Sequence, residues 1–353
     1  MTNPYRSLPD HSFWSRSVSW VPPGHLDPMG EGAFRITSDM QVATMGSCFA
    51  QHIARHLQRS GLNYFVAEAA PEGMDAAEAG RRNYGVFSAR YGNVYTVRQA
   101  VQLFDRAYGL FRPKDDVWKM GERFVDPFRP MIEPDGFESA EAVRASSAAH
   151  LEAVRRVFNE ANVIVFTLGL TEGWCNRFDG AVYAAAPGVN GGSFDPALHE
   201  KVNFSAREVT EDLQALCDRI KSVNPNARIL LTVSPVPLIA SHQSHNHVLT
   251  ATSYSKSVLR VAAEEVTRAN PQVTYFPSYE IITSAHSRGA YFEPDLRGVR
   301  EVGVAHVMRV FSKHFLGQEQ ASATALKLAA DHGETVVVCD EEVIEQALHE
   351  AGL

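Results

Sequence analysis

The sequence predicts an α/β protein, a three-layer α/β/α sandwich built on a mainly parallel sheet. Short apolar runs rich in β-branched residues recur at 40–45, 63–66, 162–168, 228–233, 273–276 and 335–339. Helix-like segments separate many of them, and strands alternating with helices give parallel sheets covered on both faces. The composition agrees. With 353 residues, 45% hydrophobic and 21% charged, the chain is globular rather than disordered, disulfide-stapled or rod-like.

Taken in order, residues 1–36 form an N-terminal arm expected to pack on the core. The strand at 40–45 runs into a helix at 48–58, whose Phe49, Ile53 and Leu57 fall at four-residue spacing. A second strand is expected at 63–66. Amphipathic helices at 143–161 and 205–223 precede the strands at 162–168 and 228–233, and a helix at 253–269 leads to 273–276. A helix at 302–315 closes the main domain, 37–316. Residues 317–353 read as an acidic helix–strand–helix extension with its strand at 335–339. It carries eight acids and one base, Lys327, so most of the net charge of −8 lies there.

The remaining body is near neutral and lacks the basic footprint that nucleic acid requires. No apolar run approaches the roughly 20 residues of a membrane helix, and the opening residues lack the layout of a secretory signal. The four cysteines, Cys48, Cys175, Cys217 and Cys339, are far apart with no CxxC pair. Reduced thiols in a cytoplasm are therefore expected, with no disulfide framework and no zinc site. The histidines at 242, 245 and 247, or 52 and 56, have no carboxylate at a recognised metal-site spacing. No metal, cofactor, nucleic acid or membrane partner is expected. The acidic extension leaves an added edge strand or a homo-oligomer open.

In doubly wound sheets, chemistry collects at the carboxyl ends of the strands. Four exits carry small, polar or turn residues there: Gly46-Ser47-Cys48, Gly169-Leu170-Thr171-Glu172-Gly173, Ser234-Pro235-Val236-Pro237 and Pro277-Ser278-Tyr279-Glu280. Cys48 is expected to open a helix, where the positive helix end favours a thiolate. A protonated His52, one turn on, would help in the same direction. The competing reading is a small buried cysteine that only packs. Lys256, expected in the first turn of the helix at 253–269, is disfavoured there by the dipole. Glu172 or Glu280 is its expected ion-pair partner, contact with an anionic substrate the alternative.

The stretch Gly46-Ser47-Cys48-Phe49-Ala50 spells the GSCFA signature letter for letter. Further blocks follow in order: Thr167-Leu168-Gly169-Leu170-Thr171-Glu172, Ser234-Pro235-Val236, Tyr254-Ser255-Lys256-Ser257 and Tyr275-Phe276-Pro277-Ser278-Tyr279-Glu280. Over roughly residues 1–315 the chain resembles the bacterial GSCFA-domain family, which looks like a branch of the SGNH (GDSL-type) hydrolases. The resemblance implies that Cys48 stands at the nucleophile position, with Ser47 as the alternative. The Cys48 amide and Thr171 would then serve the oxyanion, with Gly85 or Asn93 as a further contributor and Gly46, Gly169 and Glu172 shaping the site.

The DxxH block departs from the family pattern. Asp295-Leu296-Arg297-Gly298 keeps the aspartate but has glycine at the histidine position. His247 or His306 would have to move the proton, with Asp295 or Glu280 orienting it. The expected function is an acyl esterase or acyltransferase acting on an O-acyl group of a saccharide or small metabolite. The competing reading is a repurposed binding protein without activity.

Overall fold

The computed structural model describes residues 3–22, 24–30 and 34–317. The expected extension with its strand at 335–339 lies outside the described residues. In chain order the elements are β1 (Val42–Gly46), α1 (Ala50–Arg59), α2 (Ala76–Arg81), α3 (Val97–Ala107), β2 (Trp118–Met120), β3 (Arg123–Val125), α4 (Ala140–Glu160) and β4 (Val163–Leu168). Then come β5 (Glu172–Asn176), β6 (Val182–Tyr183), β7 (His199–Asn203), α5 (Ala206–Val223), β8 (Arg228–Val233), α6 (Val248–Ala269), β9 (Val273–Tyr275), α7 (Ser278–Thr283) and α8 (Glu301–Phe311).

The central sheet is parallel, with order β1-β4-β8-β9. Val42 faces Val163, and Val163 faces Arg228 across the next pair. Every residue of β1 and β4 is buried, which explains their unbroken apolar runs. Several helix starts are fixed by local chemistry. Thr96 with Gln99 and Ser205 with Glu208 form capping boxes on α3 and α5, and Ser139 caps α4.

The expected strand at 63–66 shrinks to one parallel bridge, Tyr64 to Val42. The reason is competition for the β1 edge. Beyond Val42, the Thr44 amide donates to Ser88 Oγ at 2.9 Å and the Thr44 carbonyl accepts from the Tyr91 hydroxyl. Ala67 then pairs with Ser88 instead, at 2.7 Å. Counting the Tyr64 bridge, the order by chain position is 2-1-3-4-5, that of flavodoxin-like doubly wound sheets. The fold is thus mixed α/β with a four-stranded parallel sheet flanked by helices. A three-stranded antiparallel sheet, β6-β5-β7, and the β2–β3 hairpin are added to it.

The chain divides into two compact units. One is Ser38–Tyr275, which holds both sheets and the hairpin. The other comprises the described parts of Met1–Thr37 and Phe276–Val336. Within that second unit the Ile36 amide donates to the Phe315 carbonyl, and Asp27 binds Lys313 and His314. Its core includes the rings of Phe276, Phe311 and Phe315.

Candidate active site

The turn that ends β1 is built from backbone. Gly46 has φ +127°, and a Cβ there would stand 2.2 Å from the Thr167 carbonyl oxygen, so only glycine fits. The Ser47 amide donates to Thr167 O at 3.0 Å, and Gly46 O accepts from the Val94 amide at 2.8 Å. Helix α1 begins at Ala50, two residues later than expected. Its first amides close the turn: Ala50 N–H to Ser47 O at 2.9 Å and Gln51 N–H to Cys48 O at 3.1 Å. Cys48 therefore sits in the turn rather than on the first helical position. Both side chains are buried, and Ser47 Oγ, in a residue 2% exposed, has no hydrogen-bond partner.

His52 does not carry the charge expected of it. Burial, with the nearby Arg55 cation, pushes its pKa down to about 3. Arg55 Nη2 lies 3.1 Å from its Nδ1 and donates to it. The ring is neutral at pH 7 and lends no positive charge to the turn.

The exit of β4 is clamped from two directions. The amides of Gly169 and Leu170 both donate to Tyr95 O, at 3.2 and 2.8 Å. A Cβ on Gly169 would meet Tyr95 O at 2.9 Å and Ser47 Cβ at 3.0 Å, so this glycine lets the two turns touch. On the other side, Lys256 Nζ donates to Gly169 O at 2.7 Å, and Ser255 Oγ accepts from the Thr171 amide at 3.0 Å. Thr171 Oγ1 donates to Asn203 Oδ1 at 2.7 Å, so the proton expected to serve an oxyanion is already engaged.

Lys256 also departs from expectation. Helix α6 starts at Val248, with His247 as its cap, which moves Lys256 from the first turn to the third. It is 1% exposed, and its Nζ donates to a carbonyl of the β4 exit. Glu172 is instead held by Ser241 Oγ at 2.8 Å, the His242 amide at 3.2 Å and Gln243 Nε2 at 3.1 Å.

The proposed proton carriers fall differently. His247 is exposed, and its Nδ1 accepts from the Leu249 amide at 3.1 Å to cap α6. His306 is buried in the second unit with both nitrogens engaged. Nε2–H donates to Leu26 O and Nδ1 accepts from Tyr291 Oη, each at 2.7 Å. Burial pushes its pKa down to about 4. No lone pair remains for a substrate proton, so its part is structural. Asp295 is exposed and folds its loop on itself, Oδ1 accepting from the Arg297 and Gly298 amides at 2.9 and 3.0 Å. Glu280 lies in the first turn of α7, in the same unit. Gly85 O accepts from Gln58 Nε2 near the end of α1, whereas Asn93 directly precedes the Val94 amide that holds Gly46.

The structure thus brings together Gly46, Ser47, Cys48, Asn93, Gly169, Thr171, Glu172 and Lys256 within one unit. Ser255, Asn203 and Tyr95 complete the clamp and were not singled out in the sequence. Ser255 adjoins Lys256 in a recognised block, which was the available signal. Tyr95 acts through its carbonyl, which no side-chain pattern reports. His242 was considered only as a metal ligand. Its Nε2–H donates to Val202 O at 2.9 Å, 3.5 Å from Glu172 Oε2, and its buried Nδ1 has no hydrogen-bond partner. Among the described residues no group of three His, Cys, Asp or Glu side chains could hold a metal ion. No helix among them is long and apolar enough to cross a membrane.

No curated protein matches the chain by sequence. The solved structures that resemble it distantly include three esterases. A family 3 carbohydrate esterase of Clostridium thermocellum is 10% identical with a TM-score of 0.33, covering 82% of this chain and 98% of its own. A Corynascus (Myceliophthora fergusii) family 2 carbohydrate esterase with a carbohydrate-binding domain is 14% identical at 0.30, covering 86% and 70%. An acetyl xylan esterase from the rumen bacterium Butyrivibrio proteoclasticus is 12% identical at 0.26, covering 69% and 56%. The sequence profile of the GSCFA family matches residues 41–311, from the first residues of the central sheet to the end of α8. The chain belongs to the GSCFA family.

Proposed function

We propose that the protein is an SGNH-like acyl esterase or acyltransferase that acts on an O-acyl group of a saccharide or small metabolite. The observation that carries this reading is the buried Ser47–Cys48 turn at the carboxyl end of β1, touching the clamped exit of β4. Cys48, at the family's nucleophile position, attacks the acyl carbonyl. A thioester forms, the ester C–O bond breaks, and the departing alkoxide takes up a proton. Water or an acceptor hydroxyl then cleaves the thioester. The Phe49 amide, which donates to no carbonyl among the described residues, is a donor suited to the oxyanion. His242 is the proposed proton carrier. Its Nδ1 is a bare acceptor, and Glu172 stands beside its other nitrogen.

The orphan hydroxyl of Ser47 favours a second reading in which serine attacks. A binding role without turnover is favoured by Gly298, which leaves the DxxH loop without a histidine. A chromogenic short-chain acyl ester separates these. Turnover should fall by roughly 10³-fold or more in Cys48→Ala and by less than about tenfold in Ser47→Ala. Loss confined to Ser47→Ala would reverse the nucleophile, and no turnover by the unmodified chain would favour the binding role.

A further inference from the structure

A row of aromatic rings runs along one face of the β6-β5-β7 sheet, and the ester-cleaving reading uses only its first member, His242. Trp174 shares that face with Glu172, two residues before it on β5. Its indole lies 5.8 Å from the His242 ring and 5.3 Å from the Phe194 ring, edge to face with both. Phe194 continues the row to His199 at 6.1 Å, and His199 to Tyr183 at 5.8 Å. The far end is core, His199 and Tyr183 both being buried. The near end is open, with Trp174 half-buried and Phe194 49% exposed.

Phe194 is held in place in advance. The loop that leads to it, Gly188-Val189-Asn190-Gly191-Gly192-Ser193, is pinned to the β2–β3 hairpin. The Gly192 amide donates to Lys119 O at 2.7 Å, and a Cβ on Gly192 would stand 2.8 Å from the Trp118 ring. A Cβ on Gly191 would meet Val125 Cγ2 at 2.7 Å, and both glycines have positive φ. Beyond Phe194, the Asp195 amide donates to His199 Nδ1 at 3.1 Å. Lys201, the register partner of Trp174, donates from Nζ to His242 O at 3.1 Å and ties the histidine to the same sheet. Trp174 and Phe194 are thus preorganised, and a ligand that meets them orders little.

One exposed ring is ordinary surface. Two rings joined to the proposed proton carrier are not. In the proposed reaction His242 handles the proton of the departing alkoxide, so the alcohol part of the ester lies beside its ring. The surface next to it is Trp174 and then Phe194. The Trp174 Nε1–H donates to nothing among the described residues, which adds a polar donor to the apolar rings. A group with C–H bonds on its faces and hydroxyls on its rim suits such a surface. Its C–H groups meet the electron-rich ring faces, and a rim hydroxyl accepts from the indole N–H. A pyranose has that form, whereas an acyclic polyol lacks the faces.

We infer that Trp174 and Phe194 form the subsite for a pyranose ring in the alcohol part of the ester, which makes the substrate an O-acylated saccharide rather than a small acyclic ester. The inference rests on the esterase reading above, with His242 as its proton carrier.

Two measurements on the full chain separate the subsite from that reading. The first compares kcat/KM for monoacetylated methyl gluco-, galacto- and mannopyranosides with that for triacetin, an acyclic polyol ester. At least one pyranoside ester should exceed triacetin by about tenfold or more. Phe194→Ala and Trp174→Ala should each lower kcat/KM for that ester by about tenfold or more, chiefly through KM, and Trp174→Phe should retain most of it. If Trp174→Ala does not fold, Phe194→Ala, at a half-exposed position, carries the test. Turnover with no pyranoside preferred, or a preference unchanged in Phe194→Ala, would overturn the subsite and leave the esterase reading standing. The second measurement is saturation-transfer NMR with the unacylated methyl pyranosides, which needs no turnover. Ring C–H protons of at least one should receive saturation from the unmodified chain and lose it in Phe194→Ala. That result without ester turnover would keep the subsite and retire the esterase reading, and no transfer to any of the three would overturn the subsite.

Discussion

The turn at Gly46-Ser47-Cys48 and the loop at Asp295-Leu296-Arg297-Gly298 are the two places where the resemblance to SGNH hydrolases would put catalytic groups, and they are built in opposite ways. The first is fixed by backbone: a glycine at φ +127°, amides paired to Thr167, and a side-chain hydroxyl left unengaged in a buried position. In the second, the only side chain of catalytic type, Asp295, is used up on its own loop amides. A site poised for chemistry keeps polar groups unanswered where a substrate will meet them. The Asp295 carboxylate is answered within its own loop. On this contrast the proposed chemistry is placed at the Ser47–Cys48 turn and not at Asp295.

The largest effect that could break the contrast is at Gly46. Gly46→Ala places a Cβ 2.2 Å from the Thr167 carbonyl oxygen and should destabilise by about 3 kcal/mol or more, read by urea denaturation. A loss under about 1 kcal/mol would mean the turn is not the rigid element described. His242→Asn should lower ester turnover by roughly 10²–10⁴-fold at unchanged stability, the range of one general base. An unaltered rate would send the proton-carrier role elsewhere. Lys256→Met keeps the length but removes the donor to Gly169 O. It should cost roughly 1–3 kcal/mol and lower kcat more than it raises KM, because the clamp positions the β4 exit.

Acid should expose the buried rings. His150 and His306 are held neutral by burial, each at about 4 against 6.5 when exposed. Their contribution is complete above about 6.5 and is lost as pH falls towards 4, because the unfolded chain then takes up protons that the folded chain refuses. Unfolding free energy should drop by several kcal/mol between pH 7 and 4 and stay flat, as far as these groups act, above pH 7. The smallest effect is at His247. His247→Ala removes an exposed cap and should cost about 0.5 kcal/mol, with turnover unchanged.

Much of the central sheet was legible because buried parallel strands announce themselves as apolar runs. The elements 162–168 and 228–233 match β4 and β8 to within a residue. The strand at 63–66 was misread because its place on the β1 edge was taken by Ser88 and Tyr91, a competition that no local pattern records. The start of α6 came five residues early because His247, not one of the usual capping residues, supplies the cap. At the site, Gly46 and Gly169 were legible as glycines flanking strand ends. The double engagement of His306 and the cluster of Glu68, Arg129 and His150 depend on residues far apart in the chain. Their bonds, not their identities, decide what they do.

In the proposed mechanism Cys48 becomes acylated. The direct measurement is intact-protein mass spectrometry after rapid mixing with an activated acetyl ester, followed by peptide mapping. One acetyl group is expected on the peptide containing Cys48, released by hydroxylamine and absent in Cys48→Ala. Turnover of the ester with no acetyl on that peptide, or with the acetyl retained in Cys48→Ala, would contradict it.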